Sequence, residues 1–205
     1  VYIVLDKDKE NMNGIQHNAN DSSIYISTGA RDIGNITQAA VLNNTANGTV
    51  VLSANKIELK AENTVGIMNG HGTVTVDSMT DNKITAKNGI YGRYSAGSYR
   101  RGDGDGIANV TAGNDNIINA TQKAVWATLG DINITAGHDN TLTVGDTGLY
   151  AGNKGVISLK AANDNRITSD KYGIYATKYS KSDTEGTINV DGVNTLIYAK
   201  DAAVK

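Results

Sequence analysis

One short phrase that joins an aliphatic residue to an aromatic one recurs along the chain, and its aromatic side chains are the residues best suited to binding. The recurring aromatic residues are Tyr91, Trp126, Tyr150 and Tyr175. Neighbours on a β-strand face opposite sides, so an inward aliphatic residue places the aromatic residue outward. We therefore expect an exposed aromatic column that could stack on sugar rings or contact an apolar protein partner. Mutual stacking of the rings, which stabilises a sheet, is the alternative interpretation.

Two longer segments interrupt the recurrence, and each carries basic residues followed by acidic ones. They span residues 93–105 and 177–185 and are expected to leave the fold at the same corner. Loops on a rigid scaffold often carry binding residues, and a tolerated surface insertion is the alternative. The loop residues that we select as candidate ligand contacts are Tyr94, Tyr99, Arg100, Arg101, Gly102, Asp103 and Tyr179.

The first of these loops contains the tripeptide Arg101-Gly102-Asp103. It resembles the Arg-Gly-Asp motif of integrin-binding ligands, which implies integrin binding as one hypothesis, and a loop rich in these three residues also produces the tripeptide by chance. Asp103 and Asp105 could approach Ca²⁺, but calcium takes six to eight oxygen ligands and two carboxylates are too few. We therefore expect no metal in this loop.

An Asp-Asn pair recurs at one position of four successive repeats. Asn tolerates a left-handed turn, and stacked side-chain amides can hydrogen-bond along the stacking direction. A structural role in turns is therefore expected, and a row of acidic metal ligands is the alternative, which the lack of a second ligand type disfavours. We expect no cofactor. The pairs are Asp81-Asn82, Asp115-Asn116, Asp139-Asn140 and Asp164-Asn165.

The sequence contains no recognisable catalytic constellation. His17, His71 and His138 fall at unrelated positions of the repeat, and no Ser/His/Asp set, zinc-ligand spacing or phosphate-binding loop is visible. The charged residues expected on the outer side of the first strands are spread over several repeats, at Asp77, Asp131, Lys160 and Asp191. We therefore expect that the protein is not an enzyme.

A repeat of 24 to 25 residues must position all of these side chains. The glycines that precede the first strand of each repeat are separated by 24, 34, 24, 25 and 31 residues, and the two long intervals contain the loops. Each repeat has three short runs in which apolar and polar residues alternate, which is typical of half-buried strands. The third run includes the recurring phrase, with an inward column formed by Ile67, Ile90, Val125, Leu149 and Ile174.

A single repeat of this kind cannot bury its own apolar face, whereas stacked repeats whose equivalent strands pair in parallel can. The predicted fold is therefore all-β, a right-handed parallel β-helix (β-solenoid) with three short strands per turn. About 24 to 25 residues form each turn, and the loops at 93–105 and 177–185 are insertions. Residues 1–205 are expected to form one such segment, cut from a longer protein.

Composition and charge argue against some classes of binding partner. The net charge is -2 and no long block of like charge occurs, which argues against nucleic acid. No apolar stretch approaches the roughly 20 residues needed to cross a bilayer, so we expect no membrane insertion of this segment. The chain has no Cys, which is compatible with export from the cell.

The repeat, with loops leaving one corner, resembles the passenger domains of monomeric autotransporters and of filamentous-haemagglutinin-type two-partner secreted adhesins. The resemblance covers roughly residues 14 to 205 and rests on architecture and on phrases such as GDINITAGHDNTLTVGDTGLYAG, residues 130–152. It implies a secreted protein at the bacterial cell surface, usually an adhesin, with a role in virulence or biofilm formation.

We therefore expect an adhesin segment that binds a host or neighbouring-cell glycan or protein through the aromatic column and the two loops. One alternative is a structural spacer, and another is a stalk that self-associates through its polar Thr/Asn face. A polysaccharide-degrading enzyme is a third, because pectinases and polysaccharide lyases share the β-helix. The phrase Gly70-His71-Gly72 resembles one in polygalacturonases, but the Asp-Asp pair of those enzymes does not occur in this sequence.

Overall fold

The protein is built from short β-strands whose sequences alternate apolar and polar residues. The computed structural model describes residues 3–4, 23–27, 39–43, 49–69, 72–92, 106–128, 130–152, 154–177 and 185–205. Within these ranges no residue is helical, and accordingly none belongs to a helix long and apolar enough to cross a membrane.

The strands are numbered in chain order over the described residues. They are β1 Ile3–Val4, β2 Ser23–Ser27, β3 Ala39–Asn43, β4 Thr49–Ala54, β5 Lys56–Asn69, β6 Thr73–Ser78, β7 Asn82–Gly92, β8 Ile107–Ala112, β9 Asn116–Ala127, β10 Asp131–Ala136, β11 Asn140–Val144, β12 Thr147–Gly152, β13 Val156–Ala161, β14 Asp164–Ser169, β15 Tyr172–Thr177, β16 Thr187–Asp191, β17 Asn194–Ala199 and β18 Ala202–Val204.

The described strands form two sheets in which the strands pair in parallel. A six-stranded sheet contains the first strand of each repeat, in the order β4, β6, β8, β10, β13 and β16. A twelve-stranded sheet contains the remaining strands. The predicted all-β class with parallel pairing is therefore confirmed.

Pairing joins equivalent residues of consecutive repeats. In the six-stranded sheet Ile134 pairs with Val110 on one side and with Leu159 on the other. In the twelve-stranded sheet Leu149 lies between Val125 and Ile174 in the same way. The sequence repeat is thus the unit of strand pairing, and the inward column predicted from the third strands has the expected register.

One hydrophobic core is shared by the two sheets. Ile132 and Ile134 of the six-stranded sheet are completely buried, as are Leu142 and Leu149 of the other sheet, and all four belong to one cluster. Burial of such side chains, worth about 1.5 to 3 kcal/mol each, is the main favourable term in folding. Towards the last described strands the core residues become partly buried, as at Ile174, Ile188, Val190 and Ile197.

The number of strands per repeat differs from the prediction in the earlier repeats. The second and third predicted strands are continuous in β5, β7 and β9, and they separate only from β11 and β12 onward. The corner in β9 is Thr121-Gln122, and Thr favours strands. The same corner is Gly145-Asp146 in the next repeat, where turn-forming residues interrupt the strand.

Candidate binding surface

A bend in the twelve-stranded sheet positions the aromatic residues. A Cβ atom at Gly148 would lie 2.4 Å from Cγ2 of Ile167 and 2.5 Å from the carbonyl oxygen of Gly173, so this position faces the core and requires a very small residue. The next residue, Leu149, is also buried. Two consecutive inward residues break the alternation, and we call this local break the bend. The bend positions of the five repeats are Gly66, Gly89, Ala124, Gly148 and Gly173.

Because of this bend, side chains three residues apart meet on the outward side of the sheet. The ammonium of Lys123 lies 4.7 Å from the ring centroid of Trp126, and Tyr172 stacks on Tyr175 with centroids 5.3 Å apart. Val65 and Met68 share one small apolar cluster. A second outward column therefore runs beside the aromatic one, formed by Val65, Asn88, Lys123, Thr147 and Tyr172.

The structure brings together the four aromatic residues predicted from the sequence, Tyr91, Trp126, Tyr150 and Tyr175, which we call the aromatic column. Tyr91 stacks on Trp126 with ring centroids 4.2 Å apart and planes at 17°. Trp126 meets Tyr150 edge-on at 5.8 Å, and Tyr150 is tilted against Tyr175 at 5.2 Å. Offset-stacked and edge-to-face pairs at these distances contribute about 0.5 to 1.5 kcal/mol each beyond burial. Mutual stacking is therefore part of what the column does.

The prediction that the whole column is exposed is wrong at Tyr91, the first of its four residues in the chain. Tyr91 is only 5 % exposed and Met68, its predecessor in the register, only 6 %. Both pack into a cluster with Ala39 and Val65, against which Trp126 also lies. The alternation of the sequence gives the side of the strand but not what packs on that side. The accessible part of the column consists of the half-buried Trp126, Tyr150 and Tyr175.

Lysines add positive charge to this surface. Lys123 Nζ lies 5.7 Å from the Tyr150 ring centroid and 3.5 Å from a carboxylate oxygen of Asp146. Lys205 Nζ lies 4.7 Å from the Tyr172 ring and 5.6 Å from the Tyr175 ring. It donates a 3.2 Å hydrogen bond to the Tyr172 hydroxyl, and this bond raises the pKa of Lys205. Ammonium groups at such distances attract the negative faces of the rings.

Sequence reasoning missed Lys123, Tyr172 and Lys205 as members of this surface. The available signal was their spacing, because Lys123 and Tyr172 each precede a column residue by three positions. Strict alternation would place residues three apart on opposite faces. The bend, at Ala124 in one repeat and at Gly173 in the other, brings them to the same face.

The Asn side chains of the Asp-Asn pairs are buried and stack across neighbouring strands, and we call them the buried amide column. Asn116 Nδ2 donates both to Asn140 Oδ1 at 3.0 Å and to the Thr135 carbonyl at 2.8 Å. The same two-way pattern continues from Asn140 to Asn165 and the Lys160 carbonyl. Hydrogen bonding along the stacking direction is thus confirmed. The left-handed conformation suggested for these Asn residues is wrong, since among described non-glycine residues only Lys154 has a positive φ.

The Asp residues of the same pairs bind the backbone of the following repeat. Asp115 Oδ1 accepts a 3.0 Å hydrogen bond from the Asp139 amide, and Asp139 Oδ1 accepts one from the Asp164 amide at 3.1 Å. Arg166 donates to Asp164 at 2.6 Å, and this hydrogen bond lowers the pKa of the Asp164 carboxyl. The expected lack of a second ligand type is wrong at this position, because His138 lies 3.4 Å from Asp115 and three potential metal ligands, Asp115, His138 and Asp139, are grouped. The carboxylates already have these partners, which favours the structural interpretation over a metal site.

The loop residues selected as candidate ligand contacts lie outside the described residues, as does most of the second loop. They are Tyr94, Tyr99, Arg100, Arg101, Gly102, Asp103 and Tyr179. The outward charges Asp77, Asp131, Lys160 and Asp191 lie on four strands of the six-stranded sheet. Lys160 and Asp191 approach to 3.9 Å.

Comparisons with protein-family models, with curated proteins and with solved structures find no match to this chain. The class that the fold defines is therefore an all-β protein with parallel, repeat-based sheets.

Proposed function

We propose that the chain is a segment of a bacterial cell-surface adhesin, wound as a right-handed parallel β-helix, that binds a glycan or protein of a host or neighbouring cell. The passenger domains of autotransporters and of two-partner secreted adhesins are the proteins that the sequence resembles. The proposal places the segment outside the cell, without enzymatic activity and without a cofactor.

The observation that carries this proposal is the continuous aromatic column with lysines beside it. Trp126, Tyr150 and Tyr175 succeed one another on adjacent strands and retain partial exposure. Contiguous apolar surface rimmed by polar groups often marks an interaction site. Aromatic and ammonium groups together suit non-covalent recognition, because they offer ring surface, hydroxyls and hydrogen-bond donors without any reactive pair.

Stacking within the column also limits which parts of the rings a ligand can contact. The rings cover part of each other's faces, as in the 4.2 Å pair of Tyr91 and Trp126. A ligand would therefore contact ring edges, the tyrosine hydroxyls and the lysine ammonium groups more than whole ring faces. A structural spacer remains the second candidate function, favoured by the same ring-on-ring packing.

Binding of the purified chain to a glycan array and to host matrix proteins tests the proposal. The double variant Trp126→Ala/Tyr150→Ala should lose binding, and Tyr175→Ala should weaken it at the other end of the column. Tyr198→Ala is a matched control, because Tyr198 is an exposed tyrosine on the twelve-stranded sheet outside the column.

Circular dichroism on each variant separates loss of binding from loss of folding. Tyr175→Ala gives the clearest distinction, because Tyr175 is half-buried and lies away from the apolar cluster of Met68 and Tyr91. An adhesin segment predicts that folded Tyr175→Ala binds less than Tyr198→Ala. A spacer predicts that the unaltered chain binds no array component, and that result would refute the adhesin proposal.

A further inference from the structure

The outer face of the six-stranded sheet consists mostly of uncharged polar side chains, with four charged residues and with the apolar residues Val51, Ile107 and Val156. Along its middle column, uncharged residues succeed one another, and Asn133 donates a 3.0 Å hydrogen bond to Asn109. The amide and hydroxyl side chains of this column both donate and accept hydrogen bonds, so a like surface can satisfy them without leaving a charge unpaired. The middle column consists of Val51, Thr75, Asn109, Asn133, Ser158 and Asn189.

The charges on this face have a symmetric arrangement. The outward residues of this sheet form three columns across the strands, and the third column follows the middle one towards the strand ends. In this third column Asp77 lies on β6 and Lys160 on β13, the second and fifth strands of the sheet, and both are exposed. Thr111 and Thr135 lie between them on the two central strands, β8 and β10. One negative and one positive group are therefore equally distant from the centre of the sheet, on opposite sides.

We propose that this face binds a second copy of the same chain, related by a two-fold axis parallel to the strands and midway between β8 and β10. Such an axis keeps the strand direction and reverses the strand order, so β6 of one copy lies over β13 of the other. Asp77 then faces Lys160 of the second copy, and Lys160 faces its Asp77. At the centre Asn109 faces Asn133, and Thr111 faces Thr135.

The two other charged residues of the face are compatible with this arrangement. Asp191 on the edge strand β16 faces the hydroxyl of Ser53 on β4 of the second copy, which can donate a hydrogen bond. Asp131 faces Ile107 of the second copy in the first column. This column is at the rim of the sheet, where the Asp131 carboxylate can keep its water. Within one chain Lys160 approaches Asp191 at 3.9 Å, and both are exposed. Such an exposed pair is weak, so Lys160 is available to Asp77.

The size of the face predicts a weak dimer. Six strands about 4.8 Å apart and five residues of about 3.3 Å each give about 500 Å² per copy. The total of about 1,000 Å² is near the lower limit for a specific interface. The small net charge of -2 adds little repulsion between copies. The dimer should therefore depend on protein concentration and, through its charge pairs, on salt. This inference is independent of ligand binding at the aromatic column.

Charge reversal tests the pairing directly by sedimentation equilibrium at low salt. Asp77→Lys places two lysines opposite each other at both symmetric contacts, and Lys160→Asp places two aspartates there. Each single variant should weaken dimerisation by about ten- to a hundredfold, because like charges in contact are repelled. An equimolar mixture of the two variants should dimerise again, because the lysine introduced in one variant then meets the aspartate introduced in the other.

The mixture distinguishes the proposed register from general damage to the fold. A variant that fails to dimerise because its fold is damaged would also fail to dimerise in the mixture. Lys83→Glu is the matched control, because it reverses a charge on the other sheet and should leave the dimer unchanged. Wild-type protein that stays monomeric up to about 1 mM would overturn the proposal. So would a mixture that remains as monomeric as its components, or single variants that dimerise as well as the wild type.

Discussion

Removing one amide from the middle of the buried amide column should cost more than removing one from its end. Asn116→Ala removes the donor to Asn140 Oδ1, the donor to the Thr135 carbonyl and the acceptor for Asn82 Nδ2. Asn82→Ala removes only the donors to Asn116 Oδ1 and the Thr111 carbonyl. It also removes Asn82 Oδ1, which is buried without a hydrogen-bond partner.

The magnitude follows from counting these groups. A hydrogen bond contributes about 0.5 to 1.5 kcal/mol to stability, and a buried polar group without a partner costs about 1 to 3 kcal/mol. At about 1 kcal/mol for each hydrogen bond lost, Asn116→Ala loses three and costs about 3 kcal/mol. Asn82→Ala loses two and also removes one buried oxygen without a partner, for a net cost of about 1 kcal/mol. The cavity left by the side chain is the same in both variants, so the difference of about 2 kcal/mol reports the hydrogen bonds.

Urea unfolding followed by circular dichroism measures this difference. Both variants should unfold at lower urea than the wild type, with Asn116→Ala lower than Asn82→Ala by about 1 M for a slope of about 2 kcal/mol per M. If Asn82→Ala destabilises the protein as much as Asn116→Ala, the continuous amide column is not what stabilises these repeats.

Three further predictions concern the bend, one turn and one ion pair. Gly148→Ala should cost about 1 to 3 kcal/mol in urea unfolding, because its Cβ would meet Ile167 Cγ2, and adding Ile167→Leu should recover part of this loss; no recovery would contradict a side-chain clash. Lys154→Gly should raise the free energy of unfolding by up to about 1 kcal/mol, because Lys154 has φ of 69°; a lower free energy would contradict backbone strain at this turn. Arg166→Gln should lower Tm at neutral pH, where the Asp164 carboxyl with its lowered pKa is ionised, and the difference should shrink as the pH falls through that lowered pKa and the carboxyl becomes protonated; a difference that stays constant as the pH is lowered would contradict the ion pair as its cause.

The bend position illustrates what the sequence encodes about packing. Gly66, Gly89, Gly148 and Gly173 each have a β-branched Ile methyl within 2.6 Å of where their Cβ would lie. At the one repeat that has Ala, Ala124, the residue next in register after Ile118 is Leu142, which carries no branch at Cβ. The choice between Gly and Ala thus matches the shape of a neighbour one repeat away.

The fold class and the register were predictable because several independent columns agree with one period. Ile90, Val125, Leu149 and Ile174 pair in one row, as the recurring phrase indicated. The burial of Tyr91 was not predictable, because alternation says nothing about the cluster that packs outside the strand. The conformation of the Asn residues was also missed, since a general preference for turns was outweighed by hydrogen bonds between repeats. Contacts across the bend, such as Lys123 with Trp126, depend on a local break in alternation.

Fluorescence of Trp126 tests most directly whether the aromatic column is a binding surface. Trp126 is the only tryptophan in the chain, and it lies between Tyr91 and Tyr150 in the column. Titration with any glycan or protein found to bind should change its emission to saturation, with the same Kd as the binding assay, and Tyr150→Ala should weaken both. A ligand that binds with full affinity while the emission of Trp126 stays unchanged, in the wild type and in Tyr150→Ala, would contradict the proposed surface.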